Sequence, residues 1–316
     1  MSQIVSLGSI NVDRVVDASG VDVDTFERRY DWFPACGETV EVEAVPDEFP
    51  DEPDRVFHGG KGANQAAAAA KAGGDTRMLG KVGDDAGEFD VRGRLAEAGV
   101  DTSGVETDDS APTGTAWVFV DDEGENRIVV RPGANEAVDW AFVQEHYDTI
   151  AAADCLLLQN EIPTDPVERL LDELGTEPDR PTVVLDPAPA EGAAPLLDDA
   201  VDYVTPNESE YAALQSDLGA FDGTLVRKRG DDDVIVDDER EFTVTPPAVP
   251  VTDTTGAGDV LNGFLAARLA AGASLTRAVG TATVAGSLAT RERGARNGVP
   301  TLEKARAFDG ATVHEA

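Results

Sequence analysis

Short apolar segments alternate with segments of helical spacing along most of the chain. Residues 155–159 and 182–185 are nearly continuous apolar runs of strand length, and residues 166–174 between them carry apolar side chains at helical spacing. The same alternation predicts further strands at 3–7, 78–82, 203–205, 225–226 and 234–236, and further helices at 66–72, 86–98 and 260–272. Strands that alternate with helices predict an α/β domain with a doubly wound, mostly parallel sheet flanked by helices.

Residues 14–57 interrupt this alternation, because they are rich in Asp, Glu, Pro and Val and contain only short strand-like pieces such as 38–42. We expect an excursion from the main sheet that forms a small β flap, with an acidic loop at 46–55. Further along the chain, residues 113–120 and 127–130 predict a β-hairpin around 122–126.

A glycine-rich turn precedes the predicted helix at 260–272, and residues 253–259 read Asp-Thr-Thr-Gly-Ala-Gly-Asp. The amides of Gly256, Ala257 and Gly258 would lie at the positive end of the helix dipole, where phosphate oxygens bind well. Asp259 has two interpretations: an N-cap carboxylate that accepts from free helix amides, or a general base beside a phosphoryl group. The turn alone favours the cap, and the rest of the chain reverses that preference.

A second glycine-rich turn, residues 59–65, reads Gly-Gly-Lys-Gly-Ala-Asn-Gln and leads into the helix at 66–72. It has the size of a ligand-binding turn, with Asn64 in the first helical turn. Because Gly62 follows Lys61 where a Walker A loop has Ser or Thr, it is not a P-loop. Neither turn completes the GxGxxG pattern of dinucleotide-binding proteins.

Other polar residues come directly after predicted strands. Asn11 and Asp13 follow the strand at 3–7 and share one face, where they could hold sugar hydroxyls or belong to an ordinary polar turn. Glu161 follows the strand at 155–159, and Asn207 and Glu210 follow the strand at 203–205. Because doubly wound sheets bind ligands at the carboxyl ends of their strands, this coincidence favours a functional interpretation of each cluster.

The 316 residues include 62 acidic and 25 basic side chains, which gives a formal net charge of −37. The acids are spread along the chain, so the excess is a property of the whole surface. Such a surface repels itself at ordinary ionic strength, whereas in molar salt the Debye length falls to about 3 Å. We therefore expect a salt-rich cytoplasm, as in a halophile, and no nucleic-acid partner.

The sequence shows no signal-peptide pattern at its start and no apolar run long enough to cross a membrane. Its two cysteines, Cys36 and Cys155, form no CxxC pair, which is typical of a reduced, intracellular protein. We expect a cytoplasmic protein without a membrane partner.

Together, these stretches resemble the ribokinase (PfkB-type) carbohydrate kinase family over almost the whole chain. Residues 59–66 and 253–259 match the two signatures of that family, and residues 8–13, 133–135 and 207–210 match supporting pieces. The resemblance implies one ribokinase-like α/β domain over 1–316, with a small β-sheet lid inserted from about 14–57 and 113–130. It also implies transfer of the γ-phosphoryl group of ATP to a sugar hydroxyl, with ribose as the leading acceptor and a lid that closes to exclude water.

The resemblance also assigns roles to individual residues. Asp259 would be the base, and the amides of Gly256, Ala257 and Gly258 would form an anion hole. The sugar-binding residues would be Asn11, Asp13, Gly59, Gly60, Lys61, Asn64, Glu161 and Asp259. The residues around ATP would be Asn207, Glu210, Lys228, Gly230, Gly256 and Gly258. Glu210 would reach Mg²⁺ through water. Asp253 and Thr255 match one side of a K⁺ site, and the loop at 290–297 matches its carbonyl-rich side.

Two departures from the family pattern leave the acceptor open. Residues 225–230 keep only the last glycine of the T-x-G-x-x-G pattern that ribokinases usually carry. A lysine at the position of Lys228 is more typical of fructokinase-type and 2-keto-3-deoxygluconate kinase-type members. The basic residues 227–229 could also simply offset the acids at 231–233. The lid excursion is also longer than in a typical ribokinase. The alternatives are fructokinase, ketohexokinase, 2-keto-3-deoxygluconate kinase, nucleoside kinase and, in another class, a non-catalytic sugar-binding regulatory module. Because lid strands of this family often pair between subunits, a homodimer through the lid is also expected.

Overall fold

The computed structural model describes residues 2–17, 23–35, 38–46, 49, 55–120, 126–238, 240–308 and 310–315. Its strands are β1 (Gln3–Leu7), β2 (Asn11–Asp17), β3 (Thr39–Glu41), β4 (Arg55–Gly59), β5 (Asp75–Gly83), β6 (Val100–Asp108), β7 (Gly114–Val120), β8 (Asn126–Arg131), β9 (Cys155–Gln159), β10 (Thr182–Asp186), β11 (Tyr203–Val204), β12 (Thr224–Arg227), β13 (Val234–Asp237), β14 (Phe242–Thr245) and β15 (Thr312–Glu315). Its helices are α1 (Val23–Arg29), α2 (Lys61–Lys71), α3 (Val91–Glu97), α4 (Trp140–Ala151), α5 (Thr164–Leu174), α6 (Glu208–Ala213), α7 (Gln215–Leu218), α8 (Ala257–Ala270), α9 (Leu275–Ala289) and α10 (Leu302–Ala307).

The main sheet confirms the predicted fold class. Its spatial order is β15-β14-β13-β12-β11-β10-β9-β1-β5-β6, and the strands from β12 to β6 are parallel to one another, while β13, β14 and β15 are added antiparallel. Alternate residues of β9 pack on opposite faces: Leu157 belongs to the core beneath α8 and α9, whereas Leu156 and Leu158 belong to the core beneath α4 and α5. The carboxyl ends of the parallel strands therefore open between two helical layers.

A smaller second sheet, which we call the lid sheet, has the order β3-β8-β7-β2-β4. The chain enters it at β2, directly after residues 8–10, and both predicted excursions contribute strands to it. An aromatic cluster of Phe26, Phe33, Phe49, Trp117 and Phe119 packs with Val16 and Val129 to form the core of this sheet. Of the segments singled out in the sequence, 121–125 of the hairpin turn, Cys36 and most of the acidic loop at 46–55 lie outside the described residues.

Several element boundaries differ from the sequence-based expectation. The helix predicted at 86–98 is instead a 3₁₀ turn at Asp84–Gly87 followed by α3, because Asp90 adopts a left-handed conformation with φ of 52° between them. Helix α2 begins at Lys61 rather than at 66, and α8 begins at Ala257 rather than at 260. Both glycine turns therefore lie directly at helix N-termini. In the part of the chain that the structure describes, no helix is long and apolar enough to cross a bilayer.

Candidate active site

The N-terminal turns of α2 and α8 lie side by side. Gly263 makes this possible, because a Cβ at that position would lie 2.4 Å from the backbone oxygen of Gln65 on α2. Only a residue without a side chain allows the two helices to approach this closely. As a result, side chains from the first glycine-rich turn reach the residues at the start of α8.

Asp259 lies in the first turn of α8 and is only 5% exposed. Its Oδ2 accepts from the Asn64 side chain at 3.0 Å, and its Oδ1 accepts from the Gln65 side chain at 3.1 Å. The N-cap position of α8 is occupied by Gly256, with φ of 75° and no side-chain cap. The capping interpretation of Asp259 is therefore wrong, since its carboxylate is held by the amide side chains of α2.

The residues proposed for the sugar surround this carboxylate on the lid side. Asn11 and Asp13 of β2 lie opposite Gly59 and Phe57 of β4 in the lid sheet. The carboxylate of Asp13 lies against Gly59, where a Cβ would be 2.2 Å from its Oδ1. These polar side chains lie where the lid sheet meets the start of α2, and we call this region the cleft.

Two further residues hold this cleft in shape. Asn135 donates to the side-chain oxygen of Asn11 at 2.8 Å and accepts from the amide of Ile10 at 2.9 Å. Glu161 accepts from Ser9 Oγ at 2.5 Å and from the backbone amide of Lys61 at 3.0 Å. Asn11 and Glu161 are therefore fixed before any ligand arrives.

Burial and charge change the titration of the cleft residues. Burial, reinforced by Glu161 and Asp259 against the pull of Arg296, raises the pKa of Asp13 to about 7. Burial also raises the pKa of Glu161, although Lys61 opposes the shift. Burial alone would lower the pKa of Lys61, but four carboxylates raise that pKa by more, so Lys61 stays charged. These carboxylates are Asp259, Asp186, Glu161 and Glu210.

On the opposite side of Asp259 lies the expected phosphate region. Lys228 follows the end of β12, and its Nζ lies 3.3 Å from the position that a Cβ on Gly258 would take. The same Nζ donates to Asp186 Oδ1 at 3.1 Å, and Asp186 is 1% exposed at the end of β10. Lys228 therefore lies directly over the glycine-rich turn, whereas Arg229 points to the surface acids Glu208 and Asp232. Gly230 follows them with φ of 64°.

The residues expected to organise magnesium form a capping box at the start of α6. Glu210 accepts from the backbone amide of Asn207 at 2.7 Å and from its side chain at 2.7 Å, and Asn207 in turn accepts from the Glu210 amide at 2.9 Å. Both Glu210 oxygens are thus already engaged, yet each keeps a lone pair for a water. This donor set fits a Mg²⁺ ion held mainly by phosphates and water rather than directly by protein. Among the described residues, no group of three or more His, Cys, Asp or Glu side chains could hold a metal by itself.

Asp253 ties the turn at 253–259 to the loop at 290–297. Its Oδ1 accepts from the amide of Thr255 at 2.9 Å and its Oδ2 from the amide of Gly294 at 2.8 Å, while its own amide donates to the carbonyl of Thr290 at 3.0 Å. Burial alone would raise the pKa of Asp253, but the hydrogen bonds from these amides lower it below its usual value. The Asp253 carboxylate therefore lies next to the backbone of the loop at 290–297, as a K⁺ site between the two loops would require. Arg291 and Arg293 are exposed.

Three residues that the sequence reasoning did not select also lie at this site: Gln65, Asp186 and Arg296. The Nε of Arg296 donates to the side-chain oxygen of Asn64 at 2.8 Å, and its guanidinium also donates to the carbonyl of Gly59. Burial lowers the pKa of Arg296 to about 10 despite the nearby Asp13 and Asp259. Arg296 lies within the loop at 290–297, but no pattern in the sequence indicates that its side chain turns inward.

Chemically, the arrangement places an oriented carboxylate between a polar cleft and a glycine-rich helix N-terminus with a lysine beside it. That is the arrangement expected of an enzyme that transfers a phosphoryl group to a hydroxyl.

Comparison with known proteins gives the family. A model described as pfkB family carbohydrate kinase matches residues 51–302. A ribokinase of Bacillus subtilis is 35% identical over 95% of this chain and 97% of its own length. An ATP-dependent ribose-1-phosphate kinase of Halopiger xanaduensis is 33% identical over 85% of this chain and 93% of its own length. The solved structure of Arabidopsis thaliana ribokinase complexed with ribose and ATP is 25% identical, with a TM-score of 0.77 over 97% of both chains. The chain therefore belongs to the pfkB family of carbohydrate kinases and is a phosphotransferase with an alcohol acceptor.

Proposed function

We propose that this kinase transfers the γ-phosphoryl group of ATP to a hydroxyl of ribose or of a ribose derivative, with Asp259 as the general base. The observation that carries the proposal is the placement of Asp259, whose two carboxylate oxygens are fixed by Asn64 and Gln65 at the N-terminus of α8. A base held in this way can take the proton of an acceptor hydroxyl without first reorganising.

In this mechanism the acceptor lies in the cleft beside the lid sheet, where Asn11, Asp13 and Lys61 bind its other hydroxyls. The amides of Gly256, Ala257 and Gly258 and the ammonium group of Lys228 stabilise the negative charge that spreads over the transferred phosphoryl oxygens. The protein supplies positioning and charge stabilisation, which is most of what phosphoryl transfer requires.

Two cations belong to the proposal. Mg²⁺, when bound to ATP, neutralises charge on the phosphates, and Asn207 and Glu210 would orient its water ligands. K⁺ would lie between Asp253, Thr255 and the carbonyls of the loop at 290–297. A salt-rich cytoplasm would keep such a site filled and would also screen the acidic surface.

The acceptor has two candidates within this proposal. Ribose is the first, since the ribokinases among the relatives match nearly the whole chain. Ribose 1-phosphate is the second, because the relative from Halopiger xanaduensis carries that activity in its name and because two partly buried cations, Lys61 and Arg296, border the acceptor cleft.

An acceptor panel tests this proposal. ADP release from ATP and Mg²⁺ would be followed in molar KCl with ribose, ribose 1-phosphate, fructose, 2-keto-3-deoxygluconate and nucleosides. We expect kcat/KM to be highest for ribose or ribose 1-phosphate. A preference for a ketose or a keto acid would replace the proposed acceptor and would favour the fructokinase-type or 2-keto-3-deoxygluconate kinase-type alternative that Lys228 suggests. A folded protein that turns over none of these acceptors would support the regulatory alternative.

Asp13 predicts a pH dependence of acceptor binding. A carboxylate accepts hydroxyl hydrogen bonds best when ionised, and Asp13, with a pKa of about 7, is protonated at lower pH. The KM for the acceptor should therefore fall as pH rises through 7, and it should change up to about tenfold per pH unit on the acidic side. In Asp13→Asn the KM should be higher and nearly independent of pH. Initial rates between about pH 5 and pH 8 measure both slopes, and an unchanged slope in the variant would assign the titration to another group.

A further inference from the structure

We propose that Gln65 is the positioning residue for the base, and that it links the base to the phosphate-side lysine by holding Asp259 and Asp186 with one amide group. This inference rests on the proposed role of Asp259. Gln65 is fully buried, and its Nε2 donates to Asp259 Oδ1 at 3.1 Å and to Asp186 Oδ2 at 3.0 Å. A primary amide has two N–H groups, so both donors are used on carboxylates.

The orientation of this amide is fixed from behind. The Nε2 of Gln159, another fully buried glutamine, donates to Gln65 Oε1 at 2.8 Å. If the Gln65 amide were flipped, its oxygen would face two carboxylates and its NH₂ group would face the NH₂ group of Gln159. Both contacts would be repulsive, so only one orientation satisfies the buried groups.

The result is a continuous chain of hydrogen bonds across the reaction centre. Lys228 donates to Asp186, Gln65 donates to Asp186 and Asp259, and Asn64 donates to the second oxygen of Asp259. Gln65 is the member that separates the two carboxylates while satisfying both. Without it, the buried carboxylates of Asp186 and Asp259 would lose the donor that they share.

The charged groups around Asp259 come from several elements, and they define what a pH experiment would report. On α2 and on the loop at 290–297, the cations Lys61 and Arg296 interact with Asp259. On β2 and after β9, the carboxyl groups Asp13 and Glu161 do so as well. Gln65 is uncharged at any pH, so a change at this position alters the balance without removing any of these groups.

The test compares four variants, together with Asp259→Asn, by kcat, by KM and by the pH profile of kcat at saturating acceptor, which leaves out the effect of Asp13 on acceptor binding. Thermal unfolding checks that each variant is folded. Gln65→Glu replaces a donor by a third carboxylate, so the acidic limb of the profile should move up by about one pH unit. Asp186→Asn removes one of the neighbouring carboxylates with almost no change in shape, so the limb should move down. Gln65→Met should lower kcat about 10- to 100-fold, with the acceptor KM changed less than about threefold.

Gln159→Met is the matched control, because it removes an equally buried amide from the same cluster but leaves both carboxylate bonds of Gln65 in place. It should lower kcat less than Gln65→Met and leave the pH profile unmoved. Equal losses in the two Met variants, or an unmoved acidic limb in both Gln65→Glu and Asp186→Asn, would overturn the role of Gln65. If one of these outcomes occurs while Asp259→Asn is inactive, the role of Gln65 is wrong and the proposed base stands. If Asp259→Asn is active, the proposed base itself is wrong.

Discussion

Replacing Asp259 by Asn is expected to lower kcat about 10³-fold while the acceptor still binds. The side chain keeps its shape in the cleft beside Asn64 and Gln65, but it can no longer take the proton of the attacking hydroxyl. Because the loss affects the transition state and not the ground state, kcat and kcat/KM should fall together. ADP release measures the rates, and calorimetry with the acceptor alone measures its binding.

Glu161→Gln is the matched comparison for Asp259→Asn, since it makes the same charge change in the same buried cleft. Glu161 accepts hydrogen bonds from Ser9 and from the Lys61 amide, and in this proposal it binds the acceptor and is not the base. We expect this variant to raise the acceptor KM more than it lowers kcat. Near-normal turnover in Asp259→Asn, or a larger kcat loss in Glu161→Gln, would move the proton-accepting role away from Asp259.

The fold could be predicted from the sequence because buried parallel strands appear in a sequence as short apolar runs. The runs at 155–159 and 182–185 became β9 and β10 with almost unchanged bounds. Local backbone exceptions were harder to predict, as the interruption at Asp90 shows. Its left-handed conformation divides a periodic segment into a 3₁₀ turn and a short helix, although the apolar spacing continues across it.

The candidate site shows a similar division. Both glycine turns were visible because glycine patterns are local, and their positions at helix N-termini follow from the chain around them. The contacts of Gln65, Asp186 and Arg296 depend instead on how α2, α8 and the loop at 290–297 pack together. Gly263 allows α2 and α8 to pack closely, but the residues near Gly263 in the sequence do not indicate which part of α2 it contacts.

The second large effect is expected at Gly256. Its φ of 75° is unfavourable for other residues, and a Cβ there would lie 2.7 Å from Ala295 Cβ and 2.8 Å from Ala295 Cα. Gly256→Ala must therefore displace either the turn at 253–259 or the loop that carries Arg296. Because the displaced amides belong to the proposed anion hole, we expect kcat to fall about 10²- to 10³-fold. Steady-state kinetics with ATP and the acceptor measures the loss.

Gly272, just beyond the other end of α8, provides an unusually close control. It has the same φ of 75°, but no atom lies within 4 Å of the position that a Cβ would take. Alanine at either position incurs the left-handed backbone strain of about 1–2 kcal/mol, whereas only at Gly256 does it also push against Ala295. Gly272→Ala should therefore lower thermal stability and leave kcat unchanged. If both variants lost stability alike and both kept full turnover, the turn would tolerate the shift, and its amides would not be the groups that stabilise the transferred phosphoryl group.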